Sequence, residues 1–380
     1  MVKINLNAVM TAYIDLKSIQ RLILNLSENQ EFTCTHIYSI FRDTCLIIHE
    51  IIDKILDNVI EVDERIKKIR NTVHLYIKER GQNQKVYKKI IDYHINAFGE
   101  DTNNIGFYLN ENNEVIGSTL YCAYIFLRTE NLPFPNSETK DEIMDKTFSF
   151  AQYIGEVSAI LLNMLEELFE IKTSDELMTF EKVDSKESYR CKDVNHKLLF
   201  SFKSDLSNSF ILRLIFSLQE INDVIWLKEK YMDKLQKPIN LDWYILLRLV
   251  SLKTDEIMDN FFNIKQHLEN DFQEWNIKSN GNVEYLIDKY EQGIKEECST
   301  LRNMIHYNIE TESIEDNFLG FYSKKVSQDL EYPLKFVNEV INLYFKPLRS
   351  EILKYLNIDK ITPLSDWEII KNRLFKQFKQ

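Results

Sequence analysis

Residues that interrupt helices are scarce in this sequence, which has 8 glycines and 6 prolines among 380 residues. Long helices exclude both residues from their interiors, whereas folds rich in tight turns need them at many positions. Apolar residues make up 44% of the chain and can fill a large core. The sequence therefore predicts a folded, mainly α protein with enough length for about two ordinary domains.

The spacing of apolar residues supports the same fold class. They recur at three- and four-residue steps, as on one face of an amphipathic helix. The predicted helices are Asn7–Leu26, Cys34–Val59, Glu61–Arg80, Lys140–Ile171, Ser209–Leu235, Asn240–Asn270, Asn282–Asn308 and Leu330–Leu356. Between residues 81 and 140 the pattern breaks, and aromatic and β-branched residues flanking Asn110–Asn113 predict a small β-hairpin.

A polar, irregular segment at residues 173–208 divides the helical regions. We interpret it as a connector, with a short strand expected at Lys197–Lys203. The first predicted domain covers residues 1–172 and carries the insertion near 81–140. The second covers residues 209–380 and ends in a short basic amphipathic tail. Both are expected to be antiparallel helical bundles.

Two strings of the form Arg-Asn-x-x-His lie 232 positions apart. Their members are Arg70, Asn71 and His74 in the first half, and Arg302, Asn303 and His306 in the second half. Such a coincidence is rare by chance, and the residues around the strings also match. In each half an arginine is followed eight positions later by a glutamate, as Arg42 by Glu50 and Arg248 by Glu256. Duplication is the simplest explanation, and it predicts that His74 and His306 face a common cleft.

The residue types in the strings suit the cleavage of RNA. On a helix, Arg and His at positions i and i+4 share one face. Arginine binds phosphate through fixed donors, and histidine can accept and donate a proton near neutral pH. The 2′-hydroxyl of RNA is an internal nucleophile, so no metal is needed to generate one. The preceding Arg65, Lys67 and Lys68 add positive charge, and Glu50 and Glu256 could pair with the string arginines.

Helical blocks that carry an Arg-polar-…-His string resemble the HEPN superfamily, many of whose members are metal-independent endoribonucleases of toxin–antitoxin and antiviral defence systems. The resemblance implies a tandem HEPN-like protein with one composite site. Arg70, His74, Arg302 and His306 would then be catalytic, and Asn71, Asn303, Arg65, Lys67 and Lys68 would bind substrate. In both strings the Arg-to-His spacing is shorter than is usual in that family.

Other functions remain open at this stage. The strings could be kept for packing in a non-catalytic HEPN-like scaffold or regulatory binding protein, or the chain could be an unrelated helical binding protein. Cys34, His36, Cys45 and His49 do not have the spacing of a structural zinc site, so no metal or cofactor is expected. The implied partners are RNA, single-stranded or tRNA-like, and a protein antitoxin or regulator; an oligomer is compatible with the resemblance.

Charge and the N-terminal sequence indicate the partners and the cellular location to expect. The net charge of −12 argues against an open basic surface for duplex nucleic acid, although a local positive cleft is compatible with it. The five cysteines form no CxxC pair, so we expect them to be reduced thiols, as in a cytosolic protein. Neither a secretory signal nor a membrane-spanning run is recognised, so we expect a cytoplasmic protein without membrane contact.

Overall fold

The computed structural model describes residues 5–71, 91, 94, 104–126, 140–172, 189–200, 204–310 and 313–358. The helices of the first half are α1 (Leu6–Glu28), α2 (Gln30–Thr33), α3 (Ile37–Glu50), α4 (Glu64–Arg70), α5 (Thr119–Phe126), α6 (Lys140–Phe169) and α7 (His196–Leu199). Those of the second half are α8 (Asp205–Trp226), α9 (Asn240–His267), α10 (Glu269–Lys278), α11 (Asn282–Gln292), α12 (Lys295–Asn303), α13 (Phe318–Gln328), α14 (Tyr332–Glu339) and α15 (Lys346–Leu356). The predicted mainly α fold is confirmed.

Polar residues begin several of these helices where the sequence places them. The side chains of Asn5, Asp63 and Ser204 accept hydrogen bonds from backbone amides in the first turns of α1, α4 and α8. Such caps satisfy donors that the helix itself leaves unpaired. Three helices contain or continue into π-helical turns, at Ile51–Ile55, Leu227–Tyr231 and Val340–Phe345. Of the predicted helix Glu61–Arg80 the structure describes only α4, and residues 72–80 lie outside the described residues. The other predicted helices occur, with local changes of winding.

One predicted helix is divided. Asn282–Asn308 was expected to be continuous, but α11 ends before Gly293 and α12 begins at Lys295. A Cβ atom at Gly293 would lie 2.8 Å from the Tyr344 hydroxyl and 2.9 Å from the Lys289 carbonyl oxygen. A side chain at this position would be crowded, so glycine suits the close approach at the break.

The small sheet contains β1 (Asn104–Leu109), β2 (Val115–Ser118) and β3 (Arg190–Asn195) in the order β2-β1-β3, and both pairings are antiparallel. The hairpin expected around Asn110–Asn113 is confirmed as the β1–β2 connection, in which Asn113 has a left-handed φ of 63°. The strand expected at Lys197–Lys203 was misplaced. Strand β3 ends at Asn195, and the chain then enters α7. Part of the predicted connector thus pairs with the insertion.

Helix α1 joins the two halves. It packs along α6 of its own half and along α9 of the other. Arg21 on α1 donates two hydrogen bonds to Asp242 on α9, at 2.7 and 3.0 Å, and both side chains are buried. The apolar core extends through both halves. The halves are therefore in extensive contact, and the domain boundaries read from the sequence stay a prediction.

Helix α6 includes one stretch, Thr147–Phe169, whose length and mean hydropathy of 1.2 meet the criteria for a membrane span. No membrane-spanning run was expected from the sequence. Of the most apolar part of this stretch, 39% is buried inside the protein. Because core helices of soluble proteins meet the same criteria, this finding alone does not indicate a membrane protein.

Candidate functional site

The second Arg-Asn-x-x-His string lies at the end of a helix. Arg302 and Asn303 are the last residues of α12, and His306 belongs to the following 3₁₀ turn, Met304–His306. The expected arrangement on one continuous α-helix is therefore wrong for this copy. Nevertheless, Nη1 of Arg302 lies 3.4 Å from Nε2 of His306. The tighter winding keeps the two side chains together.

The first string is described only in part. Arg70 is the last residue of α4 and Asn71 follows it. His74 lies outside the described residues, so its predicted proximity to His306 stays a prediction. In both strings the asparagine accepts a hydrogen bond from the preceding arginine, at 3.2 Å from Arg70 and 3.4 Å from Arg302. Asn71 and Asn303 thus orient the arginines, whatever contacts they make with a substrate.

Residues from the two halves meet at Glu50, at the end of α3. Its carboxylate is almost entirely buried, with 3% exposure. Nη2 of Arg70 donates to one oxygen at 3.1 Å, and Nδ1 of His306 lies 2.8 Å from the other. The side chain of His306 remains 46% exposed. A carboxylate of the first half therefore holds the arginine of one string and the histidine of the other.

The contacts of Glu50 keep it ionised. Burial by itself raises the pKa of this carboxyl group, but the hydrogen bonds from His306 and Arg70 and the nearby ring of His49 hold the pKa well below its usual range. His49 precedes Glu50 on α3, and its Nδ1 lies 3.6 Å from the Glu50 carboxylate. The site thus contains a buried negative charge surrounded by cationic or proton-carrying groups.

The hydrogen bonds of His306 indicate its tautomer. The guanidinium of Arg302 can only donate, so Nε2 of His306 is the acceptor in that contact. The proton of the neutral ring is then on Nδ1, which donates to Glu50. A histidine oriented in this way by a carboxylate has Nε2 as its acceptor nitrogen, which here lies beside Arg302.

The two string arginines use different carboxylates. Arg70 contacts Glu50, as anticipated, but Glu256 does not take the corresponding place beside Arg302. Instead, Nε of Arg302 lies 3.9 Å from Asp255, which also accepts a hydrogen bond from Ser299 at 2.6 Å. The match between the halves therefore does not extend to this ion pair.

Glu256 belongs to a separate buried cluster below the site. Arg42 on α3 donates to Glu256 at 2.7 Å and also contacts Glu220 and Asp43. Nζ of Lys253 lies 2.5 Å from Asp43. Burial, together with the charges of Asp43 and Glu220, raises the pKa of Glu256 to about 7 against the opposing effect of Arg42.

The basic residues expected to bind substrate have different surroundings. Arg65 is paired with Asp63 at 2.9 Å and stacks over the ring of Tyr153 at 3.6 Å. Its hydrogen bond lowers the pKa of Asp63 to about 2. Lys67 is exposed beside Glu64, and Lys68 is half-buried. Arg65 therefore has a local structural role at the start of α4, and the two lysines lie on the same helix as Arg70.

Two contributors to the site were missed in the sequence. His49 was considered only as a metal ligand. Its position next to Glu50, near the end of an amphipathic helix, could have indicated that both residues belong to one site. Asp255 lies one residue before Glu256, and a shift of one residue turns a helical side chain by about 100°. Glu256 matched the repeat pattern, so the sequence pointed to Glu256 and not to Asp255.

The residues that lack zinc spacing in the sequence also have different surroundings. His36 lies in the 3₁₀ turn Cys34–His36 before α3, binds Asp223 at 2.5 Å and stacks on Trp226, whereas His49 lies near the other end of α3. Among the residues that the structure describes, no group of three His, Cys, Asp or Glu side chains is placed to hold a metal ion.

No protein-family model, curated protein or solved structure gives a significant match to this chain.

Proposed function

We propose that the chain is a metal-independent endoribonuclease with a composite site, of the kind implied by its resemblance to the HEPN superfamily. The observation that supports this proposal is the meeting of Arg70 and His306 on the carboxylate of Glu50. These residues come from different strings in different halves. A shared buried anchor is what a single site built from both halves requires.

The proposed reaction uses the 2′-hydroxyl of RNA as the nucleophile. In this reaction Arg302 turns from Nε2 of His306 to the phosphate, and Nε2 then accepts the proton of that hydroxyl while the oxygen attacks phosphorus. The bond from phosphorus to the 5′-oxygen breaks, and that oxygen takes a proton, for which His74 is the proposed donor. The products are a 2′,3′-cyclic phosphate and a 5′-hydroxyl. Glu50 orients His306 and stabilises the imidazolium formed during the reaction.

The arginines have the role of stabilising negative charge on the pentacovalent phosphorane. The side chains of Arg70 and Arg302 are 20% and 29% exposed, so each retains a surface that a phosphate can approach. A guanidinium next to the reacting group stabilises charge that develops in the transition state. The neighbouring Lys67 and Lys68 would extend this binding surface along α4.

The decisive experiment incubates purified protein with single-stranded and structured RNAs in the presence of EDTA. Cleavage should persist, leave 2′,3′-cyclic ends, and fail on substrates with a 2′-deoxy residue at the scissile position. Activity should rise and fall about neutral pH, as expected for transfer by histidines. His306→Ala should reduce the rate by roughly 10²-fold or more.

The matched control is His267→Ala, which removes an exposed histidine at the end of α9 and should leave activity unchanged. If both strings form one site, the His74→Ala and His306→Ala double mutant should be little worse than either single variant. Cleavage retained by the double mutant would locate the activity elsewhere. Wild-type protein that cleaves no RNA would favour the alternative, a non-catalytic scaffold or regulatory protein.

A further inference from the structure

The turn that carries His306 is held by residues outside both strings. Immediately after His306, Tyr307 has a φ of 43°, in the left-handed region that aromatic residues rarely adopt. Its side chain is buried with 1% exposure, whereas that of His306 points outward and is 46% exposed. A costly backbone conformation persists only where surrounding contacts enforce it. The contacts of Tyr307 therefore decide where His306 lies.

Those contacts converge on Asp15, a fully buried aspartate on α1 in the other half. The hydroxyl of Tyr307 donates to Oδ2 of Asp15 at 2.6 Å. Burial and the charge of Asp15 raise the pKa of Tyr307 well above its ordinary value, so the hydroxyl remains a donor. A short hydrogen bond between a buried hydroxyl and a carboxylate is among the stronger polar contacts in proteins.

The start of the same turn is held by the same cluster. Nη2 of Arg248 lies 3.2 Å from Oδ2 of Asp15 and donates to the carbonyl oxygen of Met304 at 3.3 Å. The Arg248 guanidinium also lies 4.4 Å from the ring of Phe318. Both ends of the segment 304–307 are therefore tied, directly or through Arg248, to one carboxylate of α1.

We propose that Asp15 is a positioning residue for His306, acting through Tyr307 and Arg248. It holds the turn so that Nδ1 of His306 reaches Glu50 and Nε2 faces Arg302. The effect on catalysis rests on the proposed function, whereas the effect on the imidazole does not. The first half of the chain then contributes to the second-half histidine twice, by anchoring its ring through Glu50 and its backbone through Asp15.

The test compares Tyr307→Phe with Tyr231→Phe. Each substitution removes one buried hydroxyl that bonds to a side chain of α1, because Asn25 donates to the Tyr231 hydroxyl at 2.8 Å. Only Tyr307 belongs to the His306 turn. Tyr231→Phe is therefore the control for loss of a buried hydroxyl beside α1. It should lose less thermal stability than Tyr307→Phe, because only the Tyr307 hydroxyl bonds to a carboxylate.

The first readout is the ¹⁵N spectrum of the imidazole rings, with the His306 signals assigned by their loss in His306→Ala. Wild-type protein and Tyr231→Phe should show the Nδ1-protonated tautomer, and Tyr307→Phe should shift or broaden both nitrogen signals. Arg248→Lys, which keeps the charge beside Asp15 but shortens the reach to Met304, should act in the same direction. Unchanged His306 signals in folded Tyr307→Phe or folded Arg248→Lys would overturn the proposal.

The second readout is RNA cleavage. Tyr307→Phe should lower kcat roughly 10- to 100-fold with little change in KM, since displacement of a proton-transfer group by about 1 Å has an effect of that order. Tyr231→Phe should retain the wild-type kcat. If the wild-type protein cleaves no RNA, the proposed function fails but the imidazole spectra still decide the positioning role. Equal loss of kcat in both variants would contradict it.

Discussion

Replacement of Glu50 by glutamine tests the central contact between the halves. The substitution keeps the size of the side chain but removes the charge that Arg70 and His306 share at 3.1 and 2.8 Å. Glutamine also replaces one acceptor oxygen by a donor, which would face a donor of Arg70 or His306. With 3% exposure, the carboxylate belongs to the class of buried ion pairs rather than surface pairs.

Removing one partner of a buried ion pair costs about 3 to 5 kcal/mol. Because His306 and Arg70 are partly exposed and can be rehydrated, we expect a loss of unfolding free energy of about 3 kcal/mol. The matched control is Glu64→Gln on α4. Its carboxylate is 65% exposed and lies 3.6 Å from Lys67. Exposed pairs of this kind contribute about 0 to 1 kcal/mol, so the control should differ little from wild type.

The assay is urea unfolding at neutral pH followed by circular dichroism, repeated at lower pH. The pKa of Glu50 is lowered in the folded protein, so its stabilising effect is complete above the unfolded pKa, about 4.3, and declines as pH falls below that value. The difference between Glu50→Gln and wild type should therefore shrink in acid. Equal effects of Glu50→Gln and Glu64→Gln at neutral pH would refute the buried-anchor argument.

Three further predictions follow from other charged groups. RNA binding should weaken steeply with salt, because in a protein of net charge −12 it depends on phosphate contacts with a few local cationic side chains. Arg70→Ala combined with Arg302→Ala should abolish most of this binding, and binding that survives in filter assays would place RNA on another surface. The raised pKa of Glu256, about 7, means that its contribution to stability is complete below about pH 4.3 and is lost as pH rises through 7. In Glu256→Gln the free energy of unfolding should change less over that pH range. A pH dependence equal to that of the wild type would contradict the raised pKa of Glu256. Arg21→Ala leaves Asp242 buried without its charged partner, and should lower the free energy of unfolding in urea by about 3 to 5 kcal/mol. A loss below about 1 kcal/mol would mean that the pair contributes no more than a surface ion pair.

Much of the helical architecture could be predicted because its signals are local. Apolar spacing located α1, α6 and α9 to within a few residues at most of their ends, and the turn residues around Asn110 located the hairpin. The break at Gly293 could not be read in the same way. Glycine is needed there partly because of the close approach of the Tyr344 side chain, which is remote in sequence. A lone glycine within a helical pattern does not reveal what lies against it.

The candidate site shows the same division. The paired strings pointed to Arg70, Arg302 and His306 from residue types and spacing. The structure places Arg70 and His306 on Glu50, and Arg302 beside His306. The sequence did not identify the roles of His49 and Asp255. Both residues belong to helices that were predicted, but their importance depends on which face of each helix meets a neighbour.

The sequence by itself thus determined the fold class, the helices and the strings, because hydrophobic periodicity and helix caps are encoded by neighbouring residues. Only the tertiary structure decided which groups the buried carboxylates bind. Glu50 binds His306, Asp15 binds Tyr307, and Glu256 binds Arg42 rather than Arg302. Partners in buried ion pairs are selected by distances of a few ångströms between elements hundreds of residues apart. Successive side chains on a helix differ in direction by about 100°, so a rotation of one helix by that amount would bring a different carboxylate to each arginine.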